Sequence, residues 1–226
     1  MFYPQLWVIT LLFAGPLFAE PASSPQAPYC GKSDFDTKAD SSELQQEAAC
    51  LEKLSSLASR KEKQLFLKLS NGNIKTLKSF GVAACEADTV NCMNYFLVGY
   101  YSMAKLYIVY VTGYEGSAFM LMDSDDGTEF RLEGAPHFSP DGSSFMVVAE
   151  GDGDYALAIG VLVNNRPILK WTRATNIFER WNFQSWVDDH QVALKVEGGT
   201  ICPKGNCQAV VTQTGNNWAL KVKTKV

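Results

Sequence analysis

Residues 136–148, PHFSPDGSSFMVV, run from an aromatic residue through a Ser-Pro-Asp-Gly turn into an apolar stretch. Pro140 presets φ at the first turn position, Asp141 accepts bonds from nearby backbone, and Gly142 tolerates positive φ. The stretch therefore reads as a tight turn that launches an apolar strand, with Asp141 turning the chain rather than doing chemistry.

The same punctuation runs on both sides of it. QLFLKL (64–69) and NIKTLK (73–78) flank Asn71-Gly72, a two-residue hairpin turn. MNYFLVGYY (93–101), AKLYIVYVTGY (104–114) and SAFMLMD (117–123) are rich in β-branched and aromatic residues, and Asp125-Asp126-Gly127 turns the chain into TEFRLE (128–133). SSFMVVAE (143–150), DYALAIGVLV (154–163), RPILKWTR (166–173), QVALKVEGG (191–199), CQAVVTQTG (207–215) and NWALKVKT (217–224) follow. About a dozen short strands at near-regular spacing predict an all-β fold of antiparallel meander sheets.

The N-terminal part differs. Residues 1–19 carry no Lys, Arg, Asp or Glu, hold an apolar run and end in small Ala19, the pattern of a secretory signal peptide. The run is shorter than the roughly 20 residues a membrane span needs, so no stable membrane insertion is expected once it is cleaved. Residues 20–62 form an extended lead-in and an amphipathic helix, in which Asp40 and Glu43 precede Leu44, Ala48, Leu51, Leu54 and Ala58. Residues 63–226 make the β domain.

All six cysteines lie beyond the signal, which fits disulfides in an oxidising compartment, periplasmic or secreted. Proximity alone suggests Cys30–Cys50, Cys85–Cys92 and Cys202–Cys207, among 15 formal connectivities. The net charge is −4. Lys and Arg are scattered without a basic stripe, so nucleic acid is not expected as a partner. The sequence leaves the oligomeric state open.

The block at 138–147 has an echo in Trp186-Val-Asp188-Asp189-His190-Gln-Val192-Ala-Leu194 and a fainter one at Tyr95 to Leu106. Periods of roughly 40–50 residues with four strands each belong to propeller blades. The F-S-P-D-G-x-x-F-x-V block, with EGSAFMLMDSDDGTEFRLEGAP (115–136) before it, resembles WD-repeat-like β-propellers of the TolB type, whose bacterial members are often periplasmic; the resemblance extends over about residues 93–226. It implies a small or incomplete β-propeller of three or four blades and a scaffolding role. It carries over no catalytic residue.

Asp123, Asp125, Asp126 and Glu129 offer clustered hard oxygen ligands of the kind calcium prefers, but their spacing departs from an EF-hand loop and a solvated hairpin tip is the plainer reading. Glu150, Asp152 and Asp154 form a second acidic turn. No other cofactor is implied. Either acidic turn is a place for a hydrolase carboxylate pair, which needs a separation of about 5–9.5 Å for glycoside cleavage. His137 and His190 are too few for a zinc site, and no nucleophile elbow, P-loop or C-x-x-C is present. The aromatic stretch 170–186 supplies Trp171, Arg173, Phe178, Arg180 and Trp181, residue types that dominate binding hot spots. The expected function is a non-enzymatic module that binds a protein or envelope partner. Its alternatives are an inhibitor or immunity-type protein blocking an envelope-acting enzyme, and a hydrolase.

Overall fold

Alternating apolar residues and two-residue turns build a succession of antiparallel meanders. The computed structural model describes residues 29–30, 42–80, 92–113, 116–149, 154–174 and 176–223. Among the described residues one helix, α1 (Ser42–Lys53), precedes four sheets. Sheet I holds β1 (Ala58–Lys61), β2 (Gln64–Lys68) and β3 (Ile74–Lys78). Sheet II holds β4 (Met93–Tyr101), β5 (Leu106–Gly113), β6 (Gly116–Asp123) and β7 (Glu129–Leu132). Sheet III holds β8 (Pro136–Phe138), β9 (Ser144–Val148), β10 (Leu157–Val163) and β11 (Arg166–Arg173). Sheet IV holds β12 (Glu179–Asp188), β13 (Gln191–Gly198), β14 (Cys202–Thr214) and β15 (Asn217–Lys223). In every sheet the strands lie in chain order, each antiparallel to the next.

The sheets pack face to face in the same order. Leu65, Leu67 and Leu77 of sheet I meet Tyr107, Val109, Met120 and Met122 of sheet II. The opposite face of sheet II presents Leu106, Ile108, Phe119 and Leu121 to Phe145, Val147 and Ala158 of sheet III. Met146, Leu157 and Ile159 on the other face of sheet III meet Trp181, Val192, Leu194, Val196 and Val211 of sheet IV. Strands buried on both faces lose their polar alternation, which is why β5, β6 and β9 are nearly continuous apolar runs. Among the described residues no such layer joins sheet I to sheet IV.

The echoes seen in the sequence occupy equivalent places. Each spans the turn from first to second strand of its sheet: β4 to β5, β8 to β9, β12 to β13. These turns converge. Tyr101 stacks on Phe138 with ring centroids 3.9 Å apart, and the Asp141 amide donates to Asp189 Oδ1 at 2.8 Å. Asp141 is thus a turn residue twice over. Its carboxylate also accepts from Ser139 Oγ at 2.6 Å, Ser143 Oγ at 2.7 Å and the Ser143 amide at 2.9 Å. Partial burial opposes its ionisation, but these donors and the nearby His190 outweigh it and hold the carboxyl below its usual range. Gly142, at φ 71°, sits so close beneath Tyr101 that an added Cβ would fall 1.7 Å from the phenol oxygen.

The helix departs from the predicted stripe. It ends at Lys53, and Ala58 belongs instead to β1, so the first sheet begins inside the stretch read as lead-in and helix. Ala48 is exposed, whereas Glu47 is buried. The reason is a polar demand on that face. Glu47 accepts from Arg60 at 2.6 and 2.7 Å and from the Leu97 amide at 2.9 Å, capping the free edge of β4. The proposed helix cap at Asp40 and Glu43 lies outside the described residues and side chains.

Among the described residues the bridges Cys30–Cys50 and Cys202–Cys207 form. Cys85 lies outside the described residues. The second bridge closes a bulge inside β14, where Cys202 pairs with Gly198 and Cys207 with Val196. The bridges fit an oxidising, extracytoplasmic environment. Among the described residues no helix is long and apolar enough to cross a membrane.

Candidate partner-binding site

The connection from β11 to β12 carries the most exposed apolar pair of the described chain. Ile177 and Phe178 each keep 73% of their surface in solvent. Adjacent apolar residues in a strand would point to opposite faces, but these sit in a turn that turns both outward. Asn176 makes the turn: its Oδ1 accepts the Phe178 amide at 3.1 Å, and its carbonyl accepts the Glu179 amide at 2.8 Å.

Beneath the tip lies a buried polar brace. The Glu179 side chain is 1% exposed. Its carboxylate accepts from Arg173 Nη2 at 2.9 and 3.1 Å, from Asn176 Nδ2 at 3.1 Å and from Trp181 Nε1 at 3.1 Å. The Arg173 guanidinium lies 5.4 Å from the centroid of the Trp181 ring, a cation–π distance. Gly198 and Gly199, at φ 78° and 65°, bring the β13–β14 turn against the tip from behind; a Cβ on Gly198 would fall 2.4 Å from the Phe178 carbonyl oxygen. The Cys202–Cys207 bridge holds the strand beside that turn. The tip is therefore preorganised, and a rigid apolar residue loses little freedom on binding.

Of the five sequence candidates, Phe178 is presented to solvent and Trp181 is core, at 6% exposure. Arg173 braces. Trp171 is half-buried against the sheet III–IV layer, and Arg180 is exposed across from Glu197. Sequence reading missed Ile177, Asn176 and Glu179. The Asn-x-x-Glu spacing around two apolar residues was the available signal, a turn former followed by a carboxylate.

The acidic turn of sheet II does not assemble the calcium site its sequence suggests. Asp123 is buried and its Oδ1 accepts the Asp125 amide at 2.7 Å. Asp125 pairs with Lys105 at 3.2 Å, Asp126 with Arg166 at 3.0 Å and Glu129 with Lys75 at 2.7 Å. Each carboxylate serves a different partner. Among the described residues no three Asp, Glu, His or Cys side chains are grouped to hold a metal. The Ser70 hydroxyl and Lys105 hold Asp125 below its usual pKa, and Thr128 and Arg166 do the same for Asp126. A general acid needs the opposite shift. Glu150 and Asp152 lie outside the described residues. His137 stacks on Phe183 at 3.9 Å, and His190 Nδ1 lies 2.9 Å from Gln213 Oε1.

No family model matches the chain, and no curated protein matches it significantly.

Proposed function

We propose that the chain is a non-enzymatic binding module of the periplasm or the extracellular space, which engages a protein partner of the envelope through Ile177 and Phe178. The observation that carries this reading is an apolar pair at 73% exposure on a turn braced by a buried carboxylate. Burying a large apolar side chain contributes roughly 1.5–3 kcal/mol, so leaving two of them in water on a stiff support suits a surface that is covered in use. The resemblance to WD-repeat-like propellers of the TolB type supports the same role. A narrower form is an inhibitor or immunity-type protein, because a rigid apolar knob is a shape that occludes an enzyme's cleft.

The test is capture from envelope extract with the mature chain and with an Ile177→Ser/Phe178→Ser double variant of unchanged melting temperature. A protein retained by the parent and lost by the variant supports the reading. Identical retention by both overturns it.

A further inference from the structure

We propose that the outer face of sheet I is a docking site for an acidic saccharide unit of a polymer. The register of β1, β2 and β3 places Lys61, Gln64 and Lys78 in one row, Ser59, Phe66 and Thr76 in the next, and Lys68 beside Ile74 in the third, all on the face turned away from sheet II. A cavity of about 190 Å³ opens there, lined by Ser55, Ser56, Ser59, Phe66, Lys68 and Ile74 among others. Ile74 is 63% exposed.

The charge on this face runs against that of the whole chain, which is −4. Between residues 54 and 80 the only carboxylate is Glu62, set against Arg60, Lys61, Lys63, Lys68, Lys75 and Lys78. The cations turned inward are paired, Arg60 with Glu47 and Lys75 with Glu129. Among the described residues Lys61, Lys68 and Lys78 form no ion pair. Three unpaired ammonium groups on a flat face select an anion.

The cavity selects which anion. It is smaller than the roughly 300–1,000 Å³ of drug-sized ligand sites, so it takes one ring rather than a large molecule. Phe66 supplies an apolar surface for the face of a sugar ring, three serine hydroxyls bond its edge, and Lys68 meets its carboxylate. Lys61 and Lys78 then meet the acidic groups of neighbouring units. A bilayer would call for several protruding apolar side chains, whereas Ile74 alone stands out on this face beside the half-buried Phe66, and an extended peptide would use a strand edge.

Titration calorimetry of the full chain with a galacturonate hexamer tests this, with a neutral glucose hexamer, polyglutamate and phosphatidylglycerol vesicles as parallel arms. The acidic hexamer should bind, more weakly as salt rises, and the neutral one at least about ten-fold more weakly, given the modest worth of exposed charge pairs. Lys68→Glu should weaken binding by about ten-fold, and Phe66→Leu should weaken it too, both with unchanged melting temperature. Ile177→Ser/Phe178→Ser should leave it unaltered. Equal affinity for the neutral hexamer, tighter binding of polyglutamate or vesicles, indifference to both sheet I variants, or no binding at all would overturn the proposal.

Discussion

Replacing Glu179 by Gln tests whether the tip is held as described. The side chain keeps its size but loses its charge, and one of its two oxygens becomes an NH2 group. That NH2 would face either the Arg173 and Asn176 donors at Oε1 or the Arg173 and Trp181 donors at Oε2. Removing one partner of a buried ion pair costs about 3–5 kcal/mol. The Arg173 side chain is 28% exposed and can be partly rehydrated, which lowers the expected loss to about 2–4 kcal/mol. For a chain of this size that is a fall of roughly 4–16 °C in melting temperature. Urea unfolding followed by tryptophan fluorescence and far-UV circular dichroism measures it. Adding Arg173→Gln should cost less than it does alone, with a coupling energy of at least about 1 kcal/mol. A loss below about 0.5 kcal/mol, the scale of an ordinary surface change, would refute the brace.

Gly142→Ala should destabilise by about 2–4 kcal/mol, from a left-handed φ and the clash with Tyr101; Tyr101→Phe in the same chain should recover part of that, as measured by urea unfolding. Asp141→Asn should cost stability above about pH 4, the unfolded carboxyl value, and the gap to the parent should close as pH falls through the depressed folded pKa; acid unfolding curves of both proteins check the sign. Burial pushes the Tyr107 phenol up to about 12, with Tyr100 adding to the shift. Its contribution is therefore complete below about pH 10 and is lost as pH rises through about 12, so ultraviolet titration should show Tyr107 ionising with alkaline unfolding, and Tyr107→Phe should flatten that limb. Replacing Cys30 and Cys50 together by Ser should cost about 3 kcal/mol in chemical denaturation, in keeping with the loop they close.

The strands that were legible in the sequence are those with an apolar core face or tight turns: β2 to β7, β9 to β11, β13 and β15 fall within a few residues of their predicted positions. Those missed lack a clean period. β1 is ASRK, with Ala58 its one core residue. β8 is three residues long and begins at Pro136, which only an edge strand tolerates. β12 has irregular register near Phe183 and Trp186, and these shifts scramble its alternation. The burial of Glu47 was not legible because its partners, Arg60 and the Leu97 amide, come from distant parts of the chain. The basic face of sheet I escaped notice for a related reason. Lys61, Lys68 and Lys78 are scattered in sequence and are gathered only by the register of three strands. The exposed tip was half legible: Phe178 stood out by residue type, whereas the Glu179 carboxylate gains its meaning from Arg173 and Trp181, which reach it only once the strands have paired.

The arrangement also explains the repeated turn. The turns at Asp141 and Asp189 touch each other, and the one at Lys105 lies under the same cluster through Tyr101 and Met103. They join successive sheets at one end of the array. The loop that carries Ile177 and Phe178 leaves sheet III and enters sheet IV at the opposite end.

The most direct measurement is photo-crosslinking from the tip itself. A photoreactive phenylalanine analogue placed at position 178 in the full chain, with a second placed at Val210 on the outer face of sheet IV as control, is irradiated in the producing cells and the adducts are identified by mass. One discrete protein adduct is expected from position 178 and is absent from position 210. No adduct at 178, or the same adducts from both positions, would contradict it.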